Sequence, residues 1–199
     1  MTKDKAPRPL QRWIRARFFP DLIVPSPEVI DYRTLAAKGF RLVLLDIDNT
    51  LVCHGEHLGD DFARRVVGQV QEAGLLPIIA SNAREERARS FADSLGLDFI
   101  ANARKPAMEP ICMELEGRQC LPKEAIMVGD QLLTDVWSAR RAGMPVILTL
   151  RRDPAEMITV RLKRPIERIL IRLGGKSHWQ GLFLDQANGK QGDRAYDRL

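Results

Sequence analysis

Between residues 40 and 150, short apolar segments alternate with amphipathic helical segments, and this alternation restricts the folds that the chain can adopt. The predicted strands are 40–45, 75–80, 98–101, 125–128 and 145–150. The predicted helices between them are 60–73, 84–95, 106–117 and 134–142. Because apolar strands joined through helices form parallel sheets that are covered on both faces, we predict an α/β fold with a three-layer, doubly wound, Rossmann-like parallel sheet.

The first predicted strand ends in the sequence LVLLDIDNTL, at residues 42–51, and places two carboxylates one residue apart, Asp46 and Asp48. Side chains at positions i and i+2 of a strand point the same way, so both acids are expected to face one point beyond the strand. Two carboxylates this close repel each other unless a cation lies between them or one is protonated. Taken alone, the residues also fit a polar turn, because Asp and Asn are favoured in turns.

Polar side chains follow the other predicted strands as well. They are Ser81 and Asn82 after the second, Lys105 beyond the third, and Asp130 and Asp135 after the fourth. Each alone fits a helix cap or a surface charge. In doubly wound sheets, however, ligands bind beyond the carboxyl ends of the strands. Four strand ends that supply carboxylates, a hydroxyl and an ammonium group therefore indicate one functional site.

The residue types predict the chemistry of this site. Asp46, Asp48 and Asp130 are hard oxygen donors without an accompanying His cluster or Cys pair, so we expect Mg²⁺ rather than zinc. Lys105 adds a second positive charge and Ser81 a hydroxyl donor, which suits a phosphoryl group. One carboxylate can attack phosphorus. A second can protonate the leaving oxygen and then activate water.

The segments DIDNT (46–50), SN (81–82), KP (105–106) and GDQLLTD (129–135) resemble, in this order, the four signature motifs of haloacid dehalogenase-type (HAD) phosphatases. The resemblance covers about residues 40–150. A narrower resemblance is to the bacterial YqeG-type family, and it rests on the sequence VGDQLLTDV, on ANARKP and on the basic C-terminal segment. That family is related to mitochondrial phosphatidylglycerophosphate phosphatases.

This resemblance implies the catalytic and metal-binding roles. Asp46 would be the nucleophile and Asp48 the general acid/base. Asp46 and Asp130 would bind Mg²⁺ directly, and the backbone carbonyl of Asp48 would be a further ligand. We see no departure from the family pattern at these positions, so the resemblance does not indicate a loss of catalysis.

The resemblance also implies which residues bind the phosphoryl group and which support the site. Ser81, Asn82 and Lys105 would form the phosphate-binding group, with Lys105 also neutralising the nucleophile. Asn82 and Thr50 would support the loops. Asp135 would act from outside the direct metal ligands or through a water molecule.

The motif spacing bears on the size of the substrate. Ser81 lies 35 positions after Asp46, and Lys105 lies 23 positions after Asn82. A helix and a strand fill each interval, whereas many relatives insert a cap domain in one of them. The resemblance therefore implies the capless (class III) branch, whose open site accepts a phosphate presented by a lipid, a protein or a nucleic acid.

The net charge of +5 is concentrated at two flanks of the chain. Residues 1–20 carry +5 and residues 151–176 carry a further +5, so the remaining residues carry −5. Basic flanks on an acidic body indicate an anionic partner, either a membrane surface or nucleic acid. A solvated basic face without a partner fits the charge distribution as well.

The second basic flank contains an amphipathic segment. Its apolar helical stripe consists of Ile158, Leu162, Ile166, Ile169 and Leu173. Its basic side consists of Arg161, Arg164, Arg168 and Arg172. Such a segment can lie on an anionic membrane, and the alternative is a terminal helix packed on the sheet with its basic side in water. The N-terminal arm, with Trp13, Phe18 and Phe19 among arginines, is likewise either an interfacial anchor or a packing arm.

We divide the chain into four parts. They are a basic arm and Pro-rich connector (1–31), the phosphatase core (32–155), a basic amphipathic helical segment (156–174) and a polar tail expected to be disordered (175–199). No apolar stretch is long enough to span a bilayer. Three cysteines without a secretory signal favour a reducing compartment. We therefore expect a cytoplasmic protein, peripheral on the inner face of the membrane.

The expected function is that of a Mg²⁺-dependent phosphomonoesterase that forms an aspartyl phosphate. The family likeness favours a phospholipid substrate and the conversion of phosphatidylglycerophosphate to phosphatidylglycerol. Two alternatives stay open: a phosphatase for a soluble sugar phosphate or nucleotide, and a basic protein that binds RNA or ribosomes. No RNA-binding motif with interleaved aromatic residues supports the last alternative.

Overall fold

The computed structural model describes residues 6–152, 158–184, 196 and 199, without the side chains of residues 158–164. The described residues form one six-stranded sheet in which all neighbouring strands are parallel. In spatial order its strands are β1 Leu22–Val24, β6 Val146–Thr149, β5 Ala125–Gly129, β2 Leu42–Leu45, β3 Leu76–Ile79 and β4 Asp98–Phe99. The predicted parallel α/β class is therefore confirmed.

Helices cover both faces of the sheet. The α-helices of the described residues are α1 Pro9–Phe18, α2 Tyr32–Ala37, α3 Asp61–Glu72, α4 Glu85–Leu95, α5 Glu109–Gly117, α6 Trp137–Arg141, α7 Ile158–Gly174 and α8 Lys176–Gln180. Alternate side chains of β2 enter different apolar clusters, Val43 and Leu45 on one face and Leu42 and Leu44 on the other. Because successive strand side chains point to opposite faces, the sheet is the middle of three layers.

The intervals between the motifs contain no additional domain. Residues 46–105 are described throughout and hold α3, β3, α4, β4 and their connections. The carboxyl edge of the sheet is therefore not covered by an inserted cap, as the motif spacing predicts.

The N-terminal residues are joined to the core. The predicted connector at 20–31 contains β1, which pairs with β6 at the edge of the sheet. Phe18 and Phe19 are buried, and α1 packs on α6 and α7, whereas Trp13 stays half exposed. These contacts favour the packing-arm interpretation for the two phenylalanines. The four-part division of the chain stays a prediction.

The expectation of a disordered tail does not describe the ordered residues after α7. Leu182 and Tyr196 are buried. The backbone N–H of Ile23 in β1 donates to the carbonyl of Leu182 at 2.8 Å, and the N–H of Leu184 donates to the carbonyl of Ile23 at 2.8 Å. Residues 175–184 contact the core through apolar side chains such as Leu182, which interrupt the polar composition on which the expectation rests, and the remainder of the predicted tail, apart from residues 196 and 199, lies outside the described residues.

Two helices begin at positions other than the predicted ones. The helix predicted from residue 106 begins at Glu109, and the proline in its first turn is Pro110. The chain before α6 forms a π-helical turn over Leu132–Val136, which apolar periodicity does not distinguish from an α-helix. Within the described part of the chain, no helix combines the length and the apolar character that a bilayer crossing requires.

We predict that Gly129→Ala destabilises the fold. A Cβ at Gly129 would lie 2.7 Å from the Cβ of Asp135 and overlap its carboxyl group, which is buried. Overpacking of this kind costs about 1–3 kcal/mol in unfolding free energy. Gly68→Ala is the matched control, because a Cβ in that helix meets open space and should stabilise by about 0.5–1 kcal/mol. Urea unfolding checks both values, and equal stability of the two variants would contradict the packing at Gly129.

Candidate active site

Polar side chains from four strand ends meet at the carboxyl edge of the sheet. Asp46 follows β2, Ser81 follows β3, Lys105 lies beyond β4, and Asp130 and Asp135 follow β5. They converge because β2 lies between β3 and β5 in parallel register. All five residues are at most 5% exposed. Burying charge is costly unless the charges are paired, so their contacts with one another decide whether this arrangement is stable.

The ammonium group of Lys105 joins two of the carboxylates. Its Nζ lies 2.7 Å from Oδ1 of Asp46 and 2.5 Å from Oδ1 of Asp135. The side chains of Lys105 and Asp135 are each 1% exposed. One cation thus compensates two anions, which leaves a net negative charge and a site suited to a further cation or an additional positive group.

Asn82 holds the backbone of Lys105 in place. Its Nδ2 donates to the Lys105 carbonyl at 2.7 Å, and the Lys105 N–H donates to its Oδ1 at 2.7 Å. This paired arrangement fixes the loop after β4 against the loop after β3. Asn82 therefore positions the ammonium group through the main chain. Ser81, its neighbour, lines the cleft and accepts a hydrogen bond from the N–H of Ala83 at 3.2 Å.

The π-helical turn after β5 directs Asp135 inward. Oδ2 of Asp135 accepts a hydrogen bond from the N–H of Gln131 at 3.0 Å, and the Ser138 hydroxyl donates to its carbonyl at 3.0 Å. Glu167 of α7 is buried, and its Oε1 accepts from the N–H of Leu132 at 3.2 Å. The helix α7 is therefore hydrogen-bonded to the loop that carries Asp130 and Asp135.

Three carboxylates are close enough to share a metal ion. Asp46, Asp130 and Asp135 are buried, and one oxygen atom of each lies within 4.8 Å of the others. An all-carboxylate donor set suits a hard divalent cation such as Mg²⁺, which keeps water and substrate oxygens as its remaining ligands. The residues present therefore fit the predicted ion. The carboxylate of Asp135 belongs to this group, whereas that of Asp48 does not.

Burial and charge shift the protonation of this cluster. Burial and the neighbouring Asp135 raise the pKa of Asp46 and Lys105 lowers it, and together these effects bring the pKa to about 7. Burial by itself would lower the pKa of Lys105, but Asp135 and Asp46 together hold that pKa above its usual value. The ammonium group is thus charged throughout the physiological range, and protons compete with cations for the oxygens of Asp46.

Asp48 lies apart from the cluster and is bound by cations on its other side. Its Oδ2 is 2.8 Å from Nη1 of Arg87, and its Oδ1 is 2.8 Å from Nη2. Oδ1 also lies 3.1 Å from the N–H of Gly55 and 3.1 Å from Nδ1 of His54. Although burial would raise the pKa of Asp48, the hydrogen bond and charge of Arg87 hold it below its usual range.

The DIDNT segment also buries its last residues. Thr50 is fully buried, and among the described residues its hydroxyl has no hydrogen-bond partner. Asn49 adopts a positive φ of 58° and is buried as well. Thr50 is therefore buried without a hydrogen bond from its hydroxyl to the ionic cluster among the described residues.

The pairing of Arg87 with Asp48 was not predicted from the sequence. A signal was nonetheless present, because an arginine in the first turn of a helix opposes the helix dipole, and Arg87 is the third residue of α4. Arg87 lines a cleft of about 700 Å³ above the ionic cluster. Besides Asp46, Asp48 and Lys105, the other charged or titratable side chains that line this cleft are His54, His57, Arg84 and Glu86.

We predict that Lys105→Met destabilises the Mg²⁺-free protein in a pH-dependent way. At pH 8 the loss of a buried ion-pair partner should cost about 3–5 kcal/mol in unfolding free energy. Without the ammonium group, the folded-state pKa of Asp46 rises further above the unfolded value, because Lys105 no longer lowers it. The variant therefore takes up this proton at a higher pH than the wild type, whose Asp46 has a pKa of about 7, so the loss of stability should be smaller at pH 5 than at pH 8.

Denaturant unfolding in EDTA at pH 8 and pH 5 measures this difference. Lys123→Met is the control, because Lys123 is exposed and outside the cluster, and it should change stability by less than about 0.5 kcal/mol. A loss from Lys105→Met that is the same at both pH values would contradict the carboxylate cluster as its cause.

Comparisons with known proteins indicate the family of this chain. A family model described as HAD-hydrolase-like matches residues 102–153. The probable phosphatase YqeG from Bacillus subtilis (strain 168) is 30% identical over 164 residues, which cover 82% of this chain and 95% of that protein. Phosphatidylglycerophosphate phosphatase 1, chloroplastic, from Chlamydomonas reinhardtii is 28% identical over 157 residues, which cover 71% of this chain and 58% of that protein.

Among solved structures, an uncharacterized protein from Listeria monocytogenes serotype 4b aligns with a TM-score of 0.47 and 20% identity, over 67% of this chain and 98% of that chain. The family assignment rests on the sequence relatives. The Bacillus protein aligns over nearly its whole length, and the family model covers the segment that contains Lys105, Asp130 and Asp135. The chain therefore belongs to the YqeG family of HAD-like phosphatases.

Proposed function

We propose that this phosphatase is Mg²⁺-dependent and works through an aspartyl phosphate on Asp46. The observation that carries the proposal is the buried bridge in which Lys105 contacts both Asp46 and Asp135, with Asp130 in the same cluster. A carboxylate oriented by an ammonium group at the base of a cleft is suited to attack on a phosphoryl group. The positive charge beside it favours an anionic substrate.

The proposed reaction has two displacements at phosphorus. In the first, a carboxylate oxygen of Asp46 attacks, the ester P–O bond breaks, and the leaving oxygen takes a proton from Asp48, which enters this step in its protonated form. In the second, Asp48 removes a proton from water, the water oxygen attacks phosphorus, and the P–O bond to Asp46 breaks to release phosphate. Lys105 and the Ser81 hydroxyl would bind the phosphoryl oxygens, and Asn82 would contribute by fixing Lys105.

Asp46 and Asp130 would hold Mg²⁺, with the backbone carbonyl of Asp48 as a further ligand. When bound, the ion supplies positive charge to the phosphoryl oxygens. Asp135 would keep its contact with Lys105, and Thr50 would support the loop from beneath. The burial of all three cluster carboxylates supports this donor set, because water alone cannot compensate their charge.

We predict that Asp46→Asn lowers phosphate release by about 10³-fold or more, because the nucleophile is removed. EDTA should abolish wild-type activity and added Mg²⁺ should restore it. The control is Asp61→Asn, whose side chain is 96% exposed on α3, and which should retain wild-type turnover. The assay is Mg²⁺-dependent release of phosphate from a soluble phosphomonoester.

Chemical trapping tests the intermediate separately. A wild-type acyl phosphate should form in the steady state and be cleaved by hydroxylamine, and it should be absent in Asp46→Asn. Full activity of Asp46→Asn, or activity in EDTA equal to that in Mg²⁺, would overturn the proposal.

We further propose that the substrate is a phospholipid monoester, with phosphatidylglycerophosphate first among candidates, at the inner face of the membrane. The similarity to phosphatidylglycerophosphate phosphatase 1 from Chlamydomonas reinhardtii supports this substrate. The absence of an inserted domain over residues 46–105 supports it as well, because a headgroup can then approach the cleft while its acyl chains stay in the bilayer. A soluble sugar phosphate or nucleotide, or a role in RNA binding, is an alternative outcome of the test.

The outer face of α7, defined here as Ile166, Arg168, Ile169, Arg172 and Leu173, supports membrane binding. Ile166, Ile169 and Leu173 are 50%, 56% and 45% exposed, and both arginines are exposed. The helix packs on the core through other residues, among them Leu170 and Ile171. The stripe of apolar residues thus faces outward beside cations, which suits an anionic lipid surface. Four residues of the predicted amphipathic segment, Ile158, Arg161, Leu162 and Arg164, lie outside the described side chains.

We predict that the double variant Arg168→Glu with Arg172→Glu weakens binding to anionic vesicles by at least about tenfold. Each basic side chain near such a surface contributes about 1 kcal/mol. The charge-matched control is Arg33→Glu with Lys123→Glu, two exposed positions outside α7. Co-sedimentation at low and high salt measures binding, and phosphate release from phosphatidylglycerophosphate in the same vesicles measures turnover.

Equal binding by both double variants would contradict the outer face of α7 as the contact. Good turnover of soluble phosphate esters with none of the vesicle lipid would favour the soluble substrate class. RNA binding that persists in Asp46→Asn would favour the third alternative when loss of phosphatase activity has no cellular effect.

A further inference from the structure

The contacts that Asp48 makes in the structure are incompatible with its proposed role as the general acid. A general acid must turn an oxygen toward the leaving group. In the structure both oxygens face Arg87, at 2.8 Å from Nη1 and 2.8 Å from Nη2, and Oδ1 also contacts His54 and the N–H of Gly55. Asp48 therefore has to leave this arrangement before it can act.

Arg87 is held in place independently of Asp48. Its Nε and Nη2 donate to the carbonyl of Glu56 at 3.0 and 2.8 Å, and its side chain is 14% exposed. When Asp48 turns away, the guanidinium group thus stays at the wall of the cleft with two donors directed to the vacated position. A partly buried charge that loses its partner is strongly disfavoured, so a replacement anion would favour the change.

The chemistry of the guanidinium group determines which kind of anion can replace Asp48 at Arg87. The planar group binds two oxygen atoms of one anion at once, and phosphate and carboxylate groups both provide that geometry. Arg84, His54 and His57 line the same cleft, and Glu86 lines it as well, in addition to Asp46 and Asp48. An anionic group on the substrate, beyond the phosphoryl group that is cleaved, would meet predominantly cationic or titratable partners there.

We propose that Arg87 is a specificity-determining residue that binds a second anionic group of the substrate, in exchange for Asp48, which is thereby released toward the leaving oxygen. The inference rests on the proposed phosphatase function and narrows its substrate class. The preferred substrates are phosphomonoesters that carry a second oxyanion, a phosphodiester or a carboxylate, near the ester to be cleaved. No bond is made or broken in the exchange.

Three soluble substrates test the exchange without a membrane. Glycerol 3-phosphate has no second anion, 3-phosphoglycerate adds a carboxylate, and glycerophosphoglycerol phosphate adds a phosphodiester. The wild type should prefer at least one of the last two over glycerol 3-phosphate by about tenfold or more in kcat/KM, the ratio expected for a charge-assisted hydrogen-bonded pair. The substrate with the larger ratio identifies the anion.

Arg87→Gln should reduce that ratio to about one, because the uncharged amide cannot replace the paired donors. Arg89→Gln is the control, since Arg89 lies on the same helix, is exposed and pairs with Glu85, and it should keep the wild-type ratio. Should Arg87→Gln fail to fold, Arg87→Lys retains the charge without the paired geometry and should still lower the ratio.

The outcomes distinguish failure of the proposed exchange at Arg87 from failure of the proposed phosphatase function. A wild-type ratio near one, or a ratio unchanged in Arg87→Gln or in folded Arg87→Lys, overturns the exchange while phosphate release continues to support the phosphatase function. If the Arg87 variants lose kcat/KM equally for all three substrates, Arg87 has a purely structural role, and this result also overturns the exchange. Absence of phosphate release by the wild type from all three substrates and from phosphatidylglycerophosphate in vesicles overturns the phosphatase function and the exchange together.

Discussion

The ion-paired triplet of Asp46, Lys105 and Asp135 is the interaction on which the rest of the site depends. Its members come from separate loops and are almost completely buried, where unpaired charges would be strongly destabilising. Several otherwise unrelated features serve to hold it together. Asn82 clamps the backbone of Lys105 on one side, and on the other the missing side chain of Gly129 leaves the space that the Asp135 carboxyl group occupies.

The two acidic side chains of the DIDNT segment lie in different electrostatic environments. Asp46 faces the interior, where burial raises its pKa, and Asp48 faces a guanidinium group that lowers its own. Their positions, two residues apart, suggest equivalent side chains at the end of a strand. The difference arises because one shares a buried lysine with a second carboxylate, whereas the other reaches the first turn of α4.

The parallel sheet and the convergence of the motif residues could be predicted from the sequence, because apolar runs indicate the strands and a parallel sheet brings their carboxyl ends to one edge. The sequence was not sufficient for contacts that depend on distant side chains. The pairing of Arg87 with Asp48 joins residues 39 positions apart. The apolar stripe of α7 was identified, but which side of the helix would meet the core depended on Glu167 and its hydrogen bond to Leu132. The strand β1 was missed because three residues between prolines give no periodic signal.

The position of β1 has a consequence for biosynthesis. This strand precedes the other five strands in the chain, yet it pairs with β6 and hydrogen bonds to Leu182 and Leu184, which are made much later. Folding on the ribosome proceeds from the N-terminus at about 5–20 residues per second. The strand β1 therefore lacks its native neighbours while the residues between it and β6 are made, and its hydrogen bonds to Leu182 and Leu184 form only after those residues have emerged from the ribosome.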